Sequence, residues 1–279
     1  MNKKLPLNKL LRIKGGDIYS GVRKLAGIRP SHGGRVLLYH SITDSPADSE
    51  WGENTVPKEL FDMQLKFLSE NGYTVVSADE VAEHVRSGAA LPDRAVAITF
   101  DDGYADNYRN AFPILKKHGF VATIFVTVGK LRDISGSGEF LSSSELGEMV
   151  RSGLVKAGCH GSSHILLKGL GPAELNEEVS SARHRLSEMT GADVDLFAYP
   201  FGHSGSYDKN VIDTVRFAGF KGAFTSIFGI NRRGGDPFTL KRNRVSWLDT
   251  DAEIKKHLNG GYDWYSIYQG VSSIAGRFA

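Results

Sequence analysis

Ala95-Val96-Ala97-Ile98-Thr99-Phe100-Asp101-Asp102-Gly103 is an apolar run that breaks off into two adjacent carboxylates and a glycine. A short apolar run bounded in this way reads as a strand buried on both faces, here Ala95–Phe100, as strands of parallel sheets are. Two carboxylates leaving a buried strand side by side repel each other unless one of them meets a cation. The plainer reading is that one of the two caps a helix starting near Tyr104.

Working outward, further apolar runs read as strands at Val36–Tyr39, Tyr73–Val76, Val121–Val128, Leu154–Ala157, Leu196–Tyr199, Gly222–Thr225 and Leu240–Trp247. Helical patterns lie between most of them: Pro57–Glu70, Tyr104–His118, Pro172–Met189 with Pro in its first turn and Gly191 just beyond its end, and Val211–Ala218. Strands alternating with helices indicate a parallel sheet, open or closed into a barrel. Ser135–Gly138 and the polar stretch Thr43–Val56 read as loops. The strand ends run into His40, Asp101-Asp102, His160 and Pro200-Phe201-Gly202. Sites of parallel α/β proteins form outside the carboxyl ends of the strands, so four ends carrying chemically competent residues point to one site.

Two constellations join Asp101-Asp102 there. His160 and His164, four residues apart, can converge on one metal ion from a helix turn or a tight loop. One carboxylate with two imidazoles leaves positions open for water and substrate, the pattern of a catalytic rather than a structural site. Those donors suit Zn²⁺ best, with Fe²⁺, Co²⁺, Mn²⁺ and Ni²⁺ as alternatives. The turn Phe197-Ala198-Tyr199-Pro200-Phe201-Gly202 could present a backbone N–H to a developing oxyanion, although Pro-x-Gly also marks ordinary turns.

Thr99–Gly103 and His160-x-x-x-His164, in that order, resemble the motifs of the polysaccharide deacetylases (NodB homology, carbohydrate esterase family four), and the resemblance covers nearly all of residues 35–260. It implies an α/β fold, a distorted (β/α) barrel of about seven strands. It also implies that Asp101 is the catalytic base and that Asp102, His160 and His164 are the metal ligands. Three features depart from the family pattern. Gly161 stands where Ser or Thr usually follows the first His, Ala198 stands where the third motif usually begins with Arg, and the late Leu-x-His motif is absent. These departures are similar to those of a permuted subgroup, the poly-N-acetylglucosamine deacetylases, in which an early segment replaces the late motif. Leu38-Tyr39-His40 fits that role and makes His40 the general acid; otherwise His40 is a hydrogen-bonded structural residue. The missing guanidinium would come from Arg242 or Arg244, which share a face if Leu240–Trp247 is a strand, and the resemblance favours Arg242. His257, in the polar helical stretch Asp251–Leu258, reads as a solvated surface residue. Trp51, Tyr104, Tyr199 and Phe201 are candidates for stacking on a sugar, against the alternative of core packing.

The expected activity is therefore metal-dependent removal of acetyl from an N-acetylated saccharide, releasing acetate. The alternative is a related C–N hydrolase, such as a deformylase of a lipid-linked sugar or a cyclic-amide hydrolase. A net charge of +2 from 34 basic and 32 acidic residues is too balanced to indicate nucleic acid. The single cysteine, Cys159, allows no internal disulfide. Residues 1–34 form a separate basic segment, 35–260 the barrel and 261–279 a tail. Before residue 31 there are eight basic residues and one acid, Asp17, with apolar residues at helical spacing interrupted by Gly15-Gly16. This segment is either a pair of terminal helices packed on the domain or a basic amphipathic segment in peripheral contact with an anionic membrane. Neither a signal peptide nor a transmembrane run is visible, so the expected location is the cytoplasm, at the inner membrane face under the second reading.

Overall fold

A computed structural model describes residues 7–27, 32–44 and 54–274. Its strands are β1 Arg35–Tyr39, β2 Ser41–Ile42, β3 Thr55–Val56, β4 Thr74–Val76, β5 Ala95–Asp102, β6 Ala122–Val126, β7 Val155–Cys159, β8 Leu196–Ala198, β9 Gly222–Phe224 and β10 Asn243–Arg244. Its helices are α1 Leu7–Leu25, α2 Lys58–Glu70, α3 Ala78–Ser87, α4 Phe112–His118, α5 Arg132–Ser135, α6 Ser143–Arg151, α7 Pro172–Asn176, α8 Ala182–Thr190, α9 Lys209–Phe217, α10 Asp251–Asn259 and α11 Tyr265–Ile274.

The main sheet runs β10-β1-β5-β6-β7-β8-β9 and is parallel throughout, with β4 added to the first half of β5. Its two ends approach one chain segment. Leu240 bridges to Phe224 of β9, while Asn243 and Arg244 pair with Leu37 and Leu38 of β1. This is the seven-strand distorted barrel that the alternation and the resemblance imply. The expected strand Leu240–Trp247 shrinks to Asn243–Arg244 because this segment changes partner part-way, from β9 to β1, and cannot keep one regular ladder.

Alternation along the strands divides the core. Outward residues such as Leu37, Ile98, Phe100 and Val126 pack under the helices. Inward residues Val36, Ala95, Ala97, Phe125, Ala198, Phe224 and Leu240 meet Val81, Ala82 and Val85 of α3, which plugs the amino end of the barrel. Asp101 continues the inward face above Ala95 and Ala97, and these small residues leave room above them for a large side chain.

Helices α3 and α6 were not expected, yet both carry a legible start. Ser77 with Glu80, and Ser142 with Glu145, form reciprocal capping boxes. The expected helix Pro172–Met189 is present but contains a π-helical turn at Glu177–Ser181, and the one expected at Tyr104–His118 opens with another at Asn107–Ala111. Gly15-Gly16 does not interrupt α1. A Cβ at Gly15 would come within 2.2 Å of the Trp264 ring and one at Gly16 within 2.5 Å of Tyr262, so the glycines allow close approach. His257 is not solvated. It is fully buried, with Nε2 3.3 Å from Asp249 Oδ1, in a network completed by Arg12 from α1. Among the described residues no helix is long and apolar enough to cross a membrane.

Candidate active site

Left-handed backbone marks the catalytic end. Three of the four non-glycine residues with positive φ among those described lie there: Asp102 at 72°, His164 at 58° and Phe201 at 63°. That conformation costs about 1–2 kcal/mol at a residue with a Cβ and persists where the surroundings over-determine it. It turns the chain sharply at the ends of β5 and β8 and within the loop after β7, and so gathers side chains from three strand ends.

Asp102 Oδ1 is buried and makes no hydrogen bond. It lies 3.2 Å from His164 Nε2 and 3.8 Å from His160 Nε2. The candidate ligand atoms of Asp102, His160 and His164 all lie within 4.8 Å of one another. An orphaned carboxylate oxygen beside two imidazole nitrogens is expensive as it stands and fits a divalent cation. His160 Nδ1 faces the Ala198 carbonyl at 2.8 Å, so Nδ1 carries the proton and Nε2 is left as a lone-pair donor. Burial, then the neighbouring His160, pushes the His164 imidazole down to about 4, which keeps it neutral and able to ligate.

Asp101 is held differently. Arg242 grips it with two parallel bonds, Nη1 to Oδ1 at 2.6 Å and Nη2 to Oδ2 at 2.7 Å, and anchors Nε on the Thr225 carbonyl at 2.9 Å. The guanidinium lies over the Phe125 and Phe224 rings, in the space above the small inward residues. Burial pushes the Asp101 carboxyl up. Arg242 first, then His160, more than offsets this and holds it below the ordinary carboxylate range. Arg244, in register with Leu38 of β1, is exposed, and it is Arg242 that holds Asp101.

His40 leaves β1 beside Asp101, since Tyr39 pairs with Phe100. Its exit is clamped by the π turn before α4. Asn107 Nδ2 donates to the His40 carbonyl at 2.8 Å, and Asp106 accepts from Ser41 Oγ and the Ile42 N–H. The His40 Nδ1 is buried and makes no hydrogen bond to protein. Burial lowers its pKa, against the pull of Asp101 and Asp102.

The four aromatic candidates divide. Phe201 is half exposed, its ring 4.9 Å from that of His164, where a ligand could reach it. Tyr199 is not a sugar platform. It is fully buried, stacked on Tyr207 at 4.5 Å, with its hydroxyl on the Phe238 carbonyl. Tyr104 is also buried, stacked at 5.2 Å on Phe140, so its ring face is not open to substrate. Both tyrosines sit at strand ends but turn under the loops, where ring burial outweighs display. Trp51 lies outside the described residues. Ile165 and Leu166, next to His164 and partly exposed, add an apolar rim that the sequence reading did not include.

Glu178 was also missed. It is buried in the π turn Glu177–Ser181, and its Oε2 accepts the Ser162 and Ser163 N–H groups, both at 3.0 Å. Val128 and Gly129 hold the same loop from β6 through the Gly161 and Ser162 carbonyls. The signal was an acid on the apolar face of a helix that also presents Leu175, Val179, Ala182 and Leu186. Glu178→Ala should leave the buried Ser162 N–H without an acceptor, at about 1–3 kcal/mol, release the part-buried Ser163 N–H as well, and loosen the loop that carries both histidines. Titration against a fluorescent chelator should then show metal affinity weakened by roughly 10–100-fold, with partial recovery in Glu178→Gln. Unchanged affinity in Glu178→Ala would show that the loop holds its shape without it.

The family model for polysaccharide deacetylase matches residues 88–223. YxkH of Bacillus subtilis (strain 168), which carries the polysaccharide deacetylase name, is 31% identical over 211 residues, covering 76% of this chain and 71% of its own length. The chain belongs to the polysaccharide deacetylase family. The poly-beta-1,6-N-acetyl-D-glucosamine N-deacetylase of Escherichia coli (strain K12) is 31% identical over 143 residues, 47% of this chain, which spans only 21% of that larger protein. The structure of IcaB from Ammonifex degensii superposes with a TM-score of 0.69 at 27% identity, covering 82% of this chain and 98% of that one. Similarity to the poly-N-acetylglucosamine enzymes is as the departures from the usual motifs imply. Two of those departures have local reasons. Gly161 has φ 80°, and a Cβ there would come 3.1 Å from Glu178 Oε2, so the glycine goes with the glutamate. Ala198 orients His160 through its carbonyl, while Arg242 provides the guanidinium on Asp101.

Proposed function

We propose that this deacetylase hydrolyses the N-acetyl group of an N-acetylated saccharide with a divalent metal ion held by Asp102, His160 and His164. The observation that carries the reading is the pairing of an orphaned Asp102 oxygen, beside two imidazoles, with an adjacent Asp101 kept ionised by Arg242. Neighbouring carboxylates with such separate environments are suited to separate roles. A bound divalent ion, with zinc the best match to these donors, would polarise the acetyl carbonyl and make water a better nucleophile at neutral pH.

The chain's own groups do the rest. Asp101, ionised and fixed by Arg242, takes the proton of the attacking water. The Phe201 N–H, in the left-handed turn after β8, would donate to the oxygen that gains charge as the carbonyl carbon becomes tetrahedral. His40 delivers a proton to the departing sugar amine. Its burial makes the protonated imidazole a stronger acid than usual, and the two carboxylates supply the field that favours its charged form. Phe201, Ile165 and Leu166 offer the exposed apolar surface against which a sugar ring can rest.

Mass spectrometry of N-acetylated saccharides and sugar nucleotides after incubation with the purified protein tests this reading. The expected result is loss of one acetyl mass from at least one of them, with acetate as the other product. Formate released from an N-formyl sugar, or opening of a cyclic amide, with no acetyl loss from any saccharide, would reassign the site to another C–N hydrolysis.

A further inference from the structure

Helix α1 packs on the barrel with its polar face inward. Arg12 is buried, donating to Asp249 Oδ1 at 2.8 Å and to the Arg244 carbonyl at 3.2 Å, with its guanidinium over Tyr262 and Phe228. Gly15 and Gly16 sit against Trp264 and Tyr262. Arg23 lies 3.8 Å from Asp263, which Arg35 also grips, and Asp17 is paired with Lys256. These contacts fix the rotation of the helix. At 100° per residue, Leu11, Ile18, Val22 and Leu25 then fall within an arc of about 60° whose centre is about 130° away from that of Arg12, Gly16 and Arg23. They are 48%, 70%, 55% and 91% exposed. An amphipathic helix that only packed on its domain would present the reverse arrangement.

We propose that the outer face of α1 is a docking surface for an anionic lipid bilayer, with this aliphatic stripe at the acyl boundary. Charge selects the occupant. Lys14 and Lys24 are exposed on one flank of the stripe, and Asp17, the one acid before residue 31, is already neutralised by Lys256. Lys3, Lys4, Lys9 and Arg29 add to the same sign in sequence. Anionic headgroups complement such a surface, whereas a second copy facing it would bring like charges together. Arg12 meets the end of β10 and Arg23 lies near Asp263, clamped by the first residue of β1, so α1 runs antiparallel to these strands. Docking along α1 lays the strands along the bilayer, and the catalytic mouth then opens parallel to the surface rather than into it. None of this depends on the chemistry assigned to the site.

Co-sedimentation of the full chain with vesicles tests the proposal, using phosphatidylcholine alone and phosphatidylcholine mixed with phosphatidylglycerol. Binding to the mixed vesicles should exceed that to neutral ones by roughly tenfold or more and fall with added salt. The triple variant Ile18→Gln, Val22→Gln, Leu25→Gln and the double variant Lys14→Glu, Lys24→Glu should each lose most of it, with melting temperature unchanged. Absence of binding by the native chain, or equal binding by native chain and variants, would overturn the proposal. So would a dimer in light scattering that the triple variant dissociates without any vesicle binding, which would assign the stripe to a second copy.

Discussion

Asp101→Asn should keep its metal and lose roughly 10²–10⁴ in turnover on an N-acetylated saccharide. The substitution preserves shape but removes the proton acceptor. It also replaces the anion that Arg242 grips at 2.6 and 2.7 Å with a neutral amide, whose NH₂ cannot accept a guanidinium proton. Arg242 is 1% exposed, and breaking such a buried pair by removing one partner costs about 3–5 kcal/mol. A lower melting temperature is therefore part of the expected result, and rates belong well below it. Metal content separates the two adjacent carboxylates, since loss of Asp101 leaves the Asp102, His160 and His164 atoms in place. Near-native turnover in Asp101→Asn would assign the proton transfer to another group.

His40→Ala should show a loss that depends on the leaving group. A sugar amine must be protonated as it departs, because the amide anion is far too basic to leave alone. An aryl ester departs as a weakly basic phenolate and needs little help. The variant should lose roughly 10²–10⁴ on an N-acetylated saccharide and much less on an aryl acetate that the native enzyme accepts. The His40 backbone is held by Asn107 through its carbonyl, not through its ring, so removing the ring should leave the strand exit intact. Equal losses on the two substrates, at unchanged metal content, would make His40 a positioning residue.

Much of this was legible because it is local. Asp101-Asp102 and His160-x-x-x-His164 each lie on one strand end, and strand-to-helix alternation brings parallel strand ends to one side. What escaped the sequence depends on distant partners. The resemblance named Arg242 for Asp101, but the residues alone left it open with Arg244, because the contact spans 141 positions. His257 looks like a surface residue until Arg12, 237 positions from Asp249, brings α1 against the same cluster. Tyr104 and Tyr199 stand at catalytic strand ends, where an aromatic ring can face substrate or core, and only Phe140 and Tyr207 decide which. Gly15-Gly16 reads as a break in isolation and as close packing once Trp264 and Tyr262 are placed against it. The capping boxes at Ser77 and Ser142, by contrast, were local signals that the hydrophobic pattern overshadowed.

The metal triad is the central claim, and elemental analysis of purified native protein, His160→Ala and His164→Ala measures it most directly. The native chain should hold about one divalent ion, and each variant, folded by its melting profile, should lose it together with turnover. Full occupancy in both variants would contradict the assignment and place the ion, and the chemistry with it, elsewhere in the molecule.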